Sequence, residues 1–277
     1  MTQICEFLAE NPDRQLLAGG TDFMVEVNYR HREPHNVIAI DRVPELRRWR
    51  HEGDTVIIGS CVTYREIERG ALAALVPALA QAARTVGSPQ IRNAGTIGGN
   101  IATASPAGDM LPVLTALGAT VTVRSLYGER NISLNELIVG VKKTSLQKGE
   151  FIEAIQVPVL NSPQEFLKVG VRSAMVISIA SLALITYPVT KTVGIGIGAV
   201  NPVPTRASEA EKFISDHIDW ERMQVDFSAM SEFRNLISAA SSPIDDHRSS
   251  AAYRRHSIGV LGERALLRIF GQGGTND

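Results

Sequence analysis

The chain has 277 residues, with 28 Lys and Arg against 29 Asp and Glu and 5 % aromatic residues. That length admits two domains with real cores, and the near-zero net charge with so few aromatics gives no basis for a nucleic-acid or anionic-membrane surface. Two cysteines, Cys5 and Cys61, make neither a disulfide framework nor the four-ligand set of an iron–sulfur cluster, and no CxxC or HExxH spacing offers zinc a site.

Residues 1–6 lack the basic region and apolar core of a signal peptide. The longest uncharged apolar run, 174–189, is too short and too interrupted to span a bilayer. A cytoplasmic location is expected. Residues 3–9 then place Ile4, Phe7 and Leu8 on one helical face, and Asn11-Pro12 stops the helix. A short strand over 15–18 leads into Leu16-Leu17-Ala18-Gly19-Gly20-Thr21-Asp22-Phe23, where Asp22 is placed to cap a helix carrying Met24 and Val27. A second strand over 36–41 completes a small βαβ-like unit with a glycine segment at its strand-to-helix turn.

A hairpin is expected over 47–59, around Glu52-Gly53-Asp54. Thr63-Tyr64-Arg65-Glu66 reads as a capping box, and 71–86 as helix interrupted at Pro77. Residues 87–100 read as a loop ending in Gly95-Thr96-Ile97-Gly98-Gly99-Asn100. Asp109 is placed to cap a helix bearing Leu111, Leu114 and Leu117, with Pro112 in its first turn. Strands follow over 120–124, 131–133 and 152–157. Asn161-Ser162-Pro163 marks a domain boundary. Beyond it come a strand over 166–171, a hairpin of 175–187 with 192–200, helices over 207–214 and 228–238, and a final helix over 250–270.

Gly194-Ile195-Gly196-Ile197-Gly198-Ala199 matches the relaxed dinucleotide pattern GxGxxA, but Val200-Asn201-Pro202-Val203-Pro204 cannot open the helix that the pattern requires. The alternation of Val193, Ile195 and Ile197 with glycine has strand period, and the small residues leave room for another element to pack close. The two Gly-Gly segments are different. Either alone is ordinary for a turn; two of them, each flanked by Thr and Asp or Asn, suit one shared anion such as a pyrophosphate. Asp109 reads as a helix cap or as an acceptor for a ligand hydroxyl. Lys168 alternates with apolar positions and by spacing alone belongs to a solvated strand face. The six histidines lie away from both glycine segments, and no catalytic or metal-ligating constellation emerges, so a bound cofactor is expected to carry the chemistry.

Taken together, Ala18-Gly19-Gly20-Thr21-Asp22, Gln90-Ile91-Arg92-Asn93, Thr96-Ile97-Gly98-Gly99-Asn100 and Asp109 resemble the FAD-binding medium subunit of molybdenum hydroxylases, the xanthine dehydrogenase and carbon monoxide dehydrogenase family. The resemblance extends over nearly the whole chain, through Gly198–Arg206 and Tyr253-Arg254-Arg255-His256. It implies an α+β fold: a PCMH-type FAD-binding domain of two α+β subdomains, 1–57 and 58–160, then a C-terminal domain, 161–277, with a three-stranded antiparallel sheet and helices. It also implies that Leu16 to Phe23 and Thr96 to Asn100 bind the FAD pyrophosphate, and that Asp109, Ile152 and Lys168 lie near the cofactor. No histidine stands where some flavin families tether the ring, so FAD is expected to be non-covalent. The N-terminus is short, so the family's usual first strand before residue 3 is expected to be missing or trimmed, and Val86 stands where some eukaryotic members carry an aromatic. The function implied is electron transfer. A molybdopterin-binding large subunit would hydroxylate a substrate, a 2Fe-2S small subunit would relay electrons, and FAD would pass them to NAD or another acceptor. The xanthine type leads among substrates. A stand-alone PCMH or MurB-type flavin oxidoreductase and a flavin-free scaffold subunit are the alternatives.

Overall fold

The computed structural model describes residues 1–271. It opens with α1 (Thr2–Glu10), β1 (Gln15–Leu17), α2 (Phe23–Asn28) and β2 (Val37–Ala39). β1 and β2 pair in parallel, with Gln15 beside Val37 and Leu17 beside Ala39, which makes the expected βαβ-like unit. Ile4 and Leu8 join Ile40, Leu46, Cys61 and Phe151 in a small core. Phe7, expected on the same face, is exposed; it lies under the Arg14 guanidinium.

A second layer begins with the hairpin β3 (Trp49–Glu52) and β4 (Thr55–Gly59). Short helices follow: α3 (Tyr64–Ile67), α4 (Gly70–Leu75), α5 (Pro77–Thr85), α6 (Pro89–Ala94), α7 (Ile97–Thr103) and α8 (Met110–Ala116). Then come β5 (Thr120–Ser125), β6 (Gly128–Ser133), α9 (Leu134–Leu137), β7 (Ile138–Gly140), β8 (Lys143–Thr144) and β9 (Phe151–Pro158). The sheet order is β3-β4-β9-β5-β6, antiparallel throughout. Because β9 inserts beside β4, the boundary expected at 57 falls inside a strand whose Ile57 pairs with Gln156. Thr63 and Glu66 form the expected capping box on α3.

The segment 87–100 is not a loop. Ser88 and Thr96 are N-caps, and their hydroxyls accept hydrogen bonds from Ile91 N–H and Gly99 N–H. The low helix propensity of Gly98, Gly99 and Asn100 conceals α7 in the sequence, and tertiary packing overrides it.

The C-terminal domain contains β10 (Gln164–Val169), β11 (Ala180–Tyr187), β12 (Thr192–Gly198), β13 (Thr205–Arg206), α10 (Ser208–Ser215), α11 (Met230–Ala239) and α12 (Ala251–Phe270). The strands run antiparallel in chain order, so the three expected strands gain a two-residue fourth at the edge. Both faces of this sheet are covered. Ala183 and Ile185 complete the core under α3 to α8, while Leu182, Leu184, Ile195 and Ile197 pack with Ile214, Phe233, Ile258 and Leu266 of α10 to α12. A Cβ at Gly196 would lie 2.0 Å from the Pro112 carbonyl oxygen, and one at Gly194 2.5 Å from that of Ala116. The glycines of β12 are therefore where the backbone of α8 rests on the strand, the packing role that the alternation predicts. No helix among the described residues is long and apolar enough to cross a membrane.

Asp246 ties α12 to this sheet. Arg254 donates to Asp246 Oδ1 at 2.7 Å and to the carbonyls of Ile179 and Ala199 at 2.6 and 3.0 Å. Burial alone would raise the Asp246 pKa, but the Arg248 N–H, the Arg254 guanidinium and the Ser249 N–H together pull it from 3.8 to about 2. A depressed pKa contributes stability above the unfolded value and loses it as pH falls through the folded one. Asp246→Asn is therefore expected to cost about 2 kcal/mol at neutral pH. The gap from the parent should close between about pH 4 and pH 2 in urea unfolding. An equal gap at both ends of that range would contradict this account of Asp246.

Candidate cofactor-binding site

The two glycine segments meet. The turn between β1 and α2 lies against the junction of α6 and α7, so tightly that a Cβ at Gly19 would stand 1.8 Å from the Ala94 carbonyl oxygen. Gly20 adopts φ +69°, the left-handed region that favours glycine. Between the segments opens a cavity of about 640 Å³, within the usual range for small-molecule and cofactor sites. Leu16 to Phe23 line it from one side, and Thr96, Gly98, Gly99 and Asn100 from the other; Ile152 of β9 lines it as well.

The two segments play different parts. Among the described residues, the N–H groups of Gly19, Gly20, Thr21, Asp22 and Phe23 have no acceptor within the chain. The Asp22 side chain does not cap α2 as expected; its carboxylate accepts from Thr103 Oγ1 at 3.5 Å. By contrast, the donors from Ile97 to Asn100 are spent inside the protein. Ile97 N–H donates to Val62 O at 3.1 Å, Gly98 N–H to Ser60 O at 2.9 Å and Asn100 N–H to Thr96 O at 3.0 Å. Gly99 N–H donates to Thr96 Oγ1 at 3.1 Å. The longer run of N–H groups with no acceptor in the chain therefore lies in the first segment, Gly19 to Phe23, rather than at Gly98-Gly99. Gly98 is a packing glycine, since its Cβ would come within 2.4 Å of Ser60 Cβ; a Cβ at Gly99 meets only Thr96 Oγ1, at 3.0 Å. What the second segment offers the cavity is side-chain chemistry. Asn100 Oδ1, and Ser60 Oγ of the β4–α3 connection packed against Gly98, are buried without a hydrogen-bond partner, and both residues line the wall.

Three of the expected residues do not line the cavity. Ile97 is fully buried in the core beneath α7. Asp109 and Lys168 pair with each other behind the wall, with Lys168 Nζ donating to Asp109 Oδ2 at 2.6 Å. Asp109 does not cap α8. Its carboxylate also accepts from Ser178 Oγ at 2.5 Å and Thr85 Oγ1 at 3.1 Å. Lys168 lies on no solvated face, because its side chain is about as buried as that of Asp109.

Spacing also missed a cluster of charge at the cavity. Glu26 on α2 binds Lys142 of the β7–β8 turn at 2.8 Å and Arg32 at 3.1 Å, and Arg32 stacks over Phe23. The Lys142 ammonium donating to Glu26 holds that carboxyl below its usual pKa, against the opposing effect of burial. Arg32 and Lys142 thus stand beside the free N–H groups together with the carboxylates of Glu26 and Asp22. Tyr64, read only as part of a capping box, also lines the wall. Burial pushes its pKa up, so the phenol stays protonated.

Comparison with known proteins follows the same outline. A family model described as the FAD binding domain in molybdopterin dehydrogenase matches residues 1–160. A second, described as the CO dehydrogenase flavoprotein C-terminal domain, matches residues 165–269. The chain is 32 % identical over 273 residues to the glyceraldehyde dehydrogenase medium chain of Sulfolobus acidocaldarius, spanning 97 % of this chain and 95 % of that protein. It is 30 % identical over 263 residues to the carbon monoxide dehydrogenase medium chain of Hydrogenophaga pseudoflava, spanning 92 % and 88 % respectively. A crystal structure of quinoline 2-oxidoreductase from Pseudomonas putida 86 matches with a TM-score of 0.87 at 23 % identity, covering 97 % of this chain and 93 % of that one, a likeness of fold.

Proposed function

The chain belongs to the family of FAD-binding medium subunits of molybdenum hydroxylases, and on that premise we propose that it holds FAD non-covalently between its two glycine segments and passes electrons from a partner subunit to an acceptor. The observation that carries this reading is the run of five unpartnered N–H groups, Gly19 to Phe23, along a cavity that also carries Arg32 and Lys142. Successive backbone donors with no acceptor in the chain, beside two cationic side chains, suit a pyrophosphate. Asn100 Oδ1 and Ser60 Oγ are left to bond the rest of the cofactor. No histidine or cysteine lines the cavity among the described residues, which supports a non-covalent complex.

When bound, FAD supplies the redox chemistry, taking electrons from one-electron carriers and delivering them onward. The chain's own residues bind it, orient it and exclude water around it. Both cysteines are buried and free, so iron–sulfur clusters and the molybdenum cofactor are assigned to partner subunits: a small 2Fe-2S chain and a large molybdopterin-binding chain. Such a complex is an oxidoreductase, and this chain is its electron-transfer part, with a cytoplasmic location as part of the proposal. The purine, xanthine-type substrate and NAD as acceptor are the finer form of it. They rest on the sequence resemblance alone, because the substrate would bind another subunit.

A stand-alone flavin oxidoreductase would need a free acid or base at its substrate. The glutamates on this wall are tied up, Glu26 by Lys142 and Arg32 and Glu150 by a two-bond fork from Arg130 at 2.8 and 2.9 Å, and the third acid there, Asp22, stands in the first glycine segment and accepts from Thr103 Oγ1. Gly99→Val tests the cofactor reading. The added methyls enter the cavity beside Thr96 and should abolish FAD uptake in a titration while the circular dichroism stays that of a folded chain. Normal FAD uptake would overturn the assigned role of this segment.

A further inference from the structure

Residues 85–87 make a turn between α5 and α6 whose Val86 and Gly87 line the cavity. Its three successive carbonyls are all held by cations. Lys168 Nζ donates to Thr85 O at 3.2 Å. Arg92 Nη1 donates to Gly87 O at 3.1 Å and more weakly to Val86 O at 3.4 Å. Arg92 is itself paired with Glu68, at the end of α3, whose Oε2 lies 3.1 Å from Arg92 Nε as an ion pair without hydrogen-bond geometry. Glu68 is only 6 % exposed. Burial alone would raise its pKa, but Arg65, Arg92 and Arg69 hold the carboxyl below its usual range. Neither Glu68 nor Arg92 lines the cavity, so nothing assigned so far requires them.

A trans peptide points its C=O and the following N–H in opposite directions. With the carbonyls of Val86 and Gly87 drawn out to Arg92, the N–H groups of Gly87 and Ser88 point the other way, and neither has an acceptor in the chain among the described residues. Gly87 holds φ +49°, and a Cβ there would meet Ile91 at 2.8 Å. The turn therefore has one shape, and the brace fixes it. The neighbouring wall is apolar, with Val86, Ile91, Ile152 and Ile177. Ile177 sits in the exposed connection before β11. An apolar wall with an open edge suits a ring that must be reached by an electron acceptor.

We propose that Glu68 and Arg92 are positioning residues for the flavin: by holding the carbonyls of Val86 and Gly87 outward, they shape the wall against which the isoalloxazine ring lies and set its reduction potential. This rests on reading the cavity as the FAD site. With the brace gone, the carbonyl oxygens are free to turn inward. Their negative ends then oppose the charge that reduction brings to the ring, so the potential falls.

The test uses the full chain with added FAD. Affinity is measured by fluorescence titration, the two-electron midpoint potential by dye equilibration, and folding by circular dichroism. Arg92→Lys keeps the charge but lacks the planar guanidinium that reaches both carbonyls while lying beside the Glu68 carboxylate. It should weaken FAD binding about tenfold and lower the potential by about 30 mV, a tenfold change in relative affinity for the two redox states. Glu68→Gln, which keeps the side-chain shape, should shift both in the same direction and carries the test if Arg92→Lys does not fold. Lys142→Met, at the charged cluster, should weaken binding and leave the potential unchanged. The proposal is overturned if both brace variants bind FAD at the parent potential, or if Lys142→Met lowers it equally. A parent chain that takes up no FAD overturns the cofactor reading as well.

Discussion

Replacing Lys168 with methionine is expected to cost the chain about 3–5 kcal/mol of stability, a fall in Tm on the order of 10 °C. Lys168 Nζ satisfies Asp109 Oδ2 at 2.6 Å and the carbonyls of Val176 and Thr85 at 3.0 and 3.2 Å. Asp109 is 5 % exposed, so removing the ammonium strands a carboxylate where water cannot replace its partner. Only the Ser178 and Thr85 hydroxyls would remain to it. The double variant Lys168→Met/Asp109→Leu removes both charges and should return close to parental stability. Calorimetry on the three proteins decides the matter, and a Lys168→Met protein within about 1 kcal/mol of the parent would contradict it. The pair fastens β10 of the C-terminal domain to α5 and α8 just behind the cavity. In this arrangement its first role is to hold that wall in place.

Gly20→Val should abolish flavin binding with little loss of fold. A Cβ at Gly20 meets only Leu17 Cδ1 at 3.4 Å and Met24 Cγ at 3.8 Å, so space is not the obstacle. The obstacle is φ +69°, which costs an L-residue roughly 1–2 kcal/mol and a β-branched one more. The turn can relieve that strain by swinging to negative φ, and in doing so it re-aims the N–H groups of Gly20 and Thr21. Each hydrogen bond to a charged oxygen contributes about 1.5–3 kcal/mol, so losing two weakens FAD at least a hundredfold. Gly19→Ala makes a useful contrast. Its methyl would collide with the Ala94 carbonyl and force the two segments apart, so it should lower stability and flavin content together. Flavin content beside thermal unfolding separates the two cases, and a flavin-replete Gly20→Val protein would remove the first segment from the site.

Local chemistry made much of this legible. The capping box at Thr63, the strand character of β12 and the final helix each rest on neighbours in sequence. So does the identification of the two glycine segments. What spacing could not give is what each glycine is for. Gly19 and Gly98 are glycines because Ala94 and Ser60 lie against them, and those neighbours arrive from other elements. The first-turn donors of α7 look free in sequence and are not, because Ser60 and Val62 of the β4–α3 connection accept from them. Ion pairs are harder still. Lys168 and Asp109 stand 59 residues apart, and Lys142 and Glu26 stand 116 apart. No periodicity links such residues, so a strand lysine that reads as solvated turns out to be half of a buried pair.

The central claim is that this chain holds FAD without a covalent bond. The most direct measurement is the visible spectrum of the purified full chain, followed by denaturation, filtration and identification of the released pigment. The account predicts a flavin spectrum from the folded chain and FAD in the filtrate, near one per chain. A colourless, well-folded chain that also refuses added FAD would contradict it, and would leave a scaffold role as the better reading of the fold.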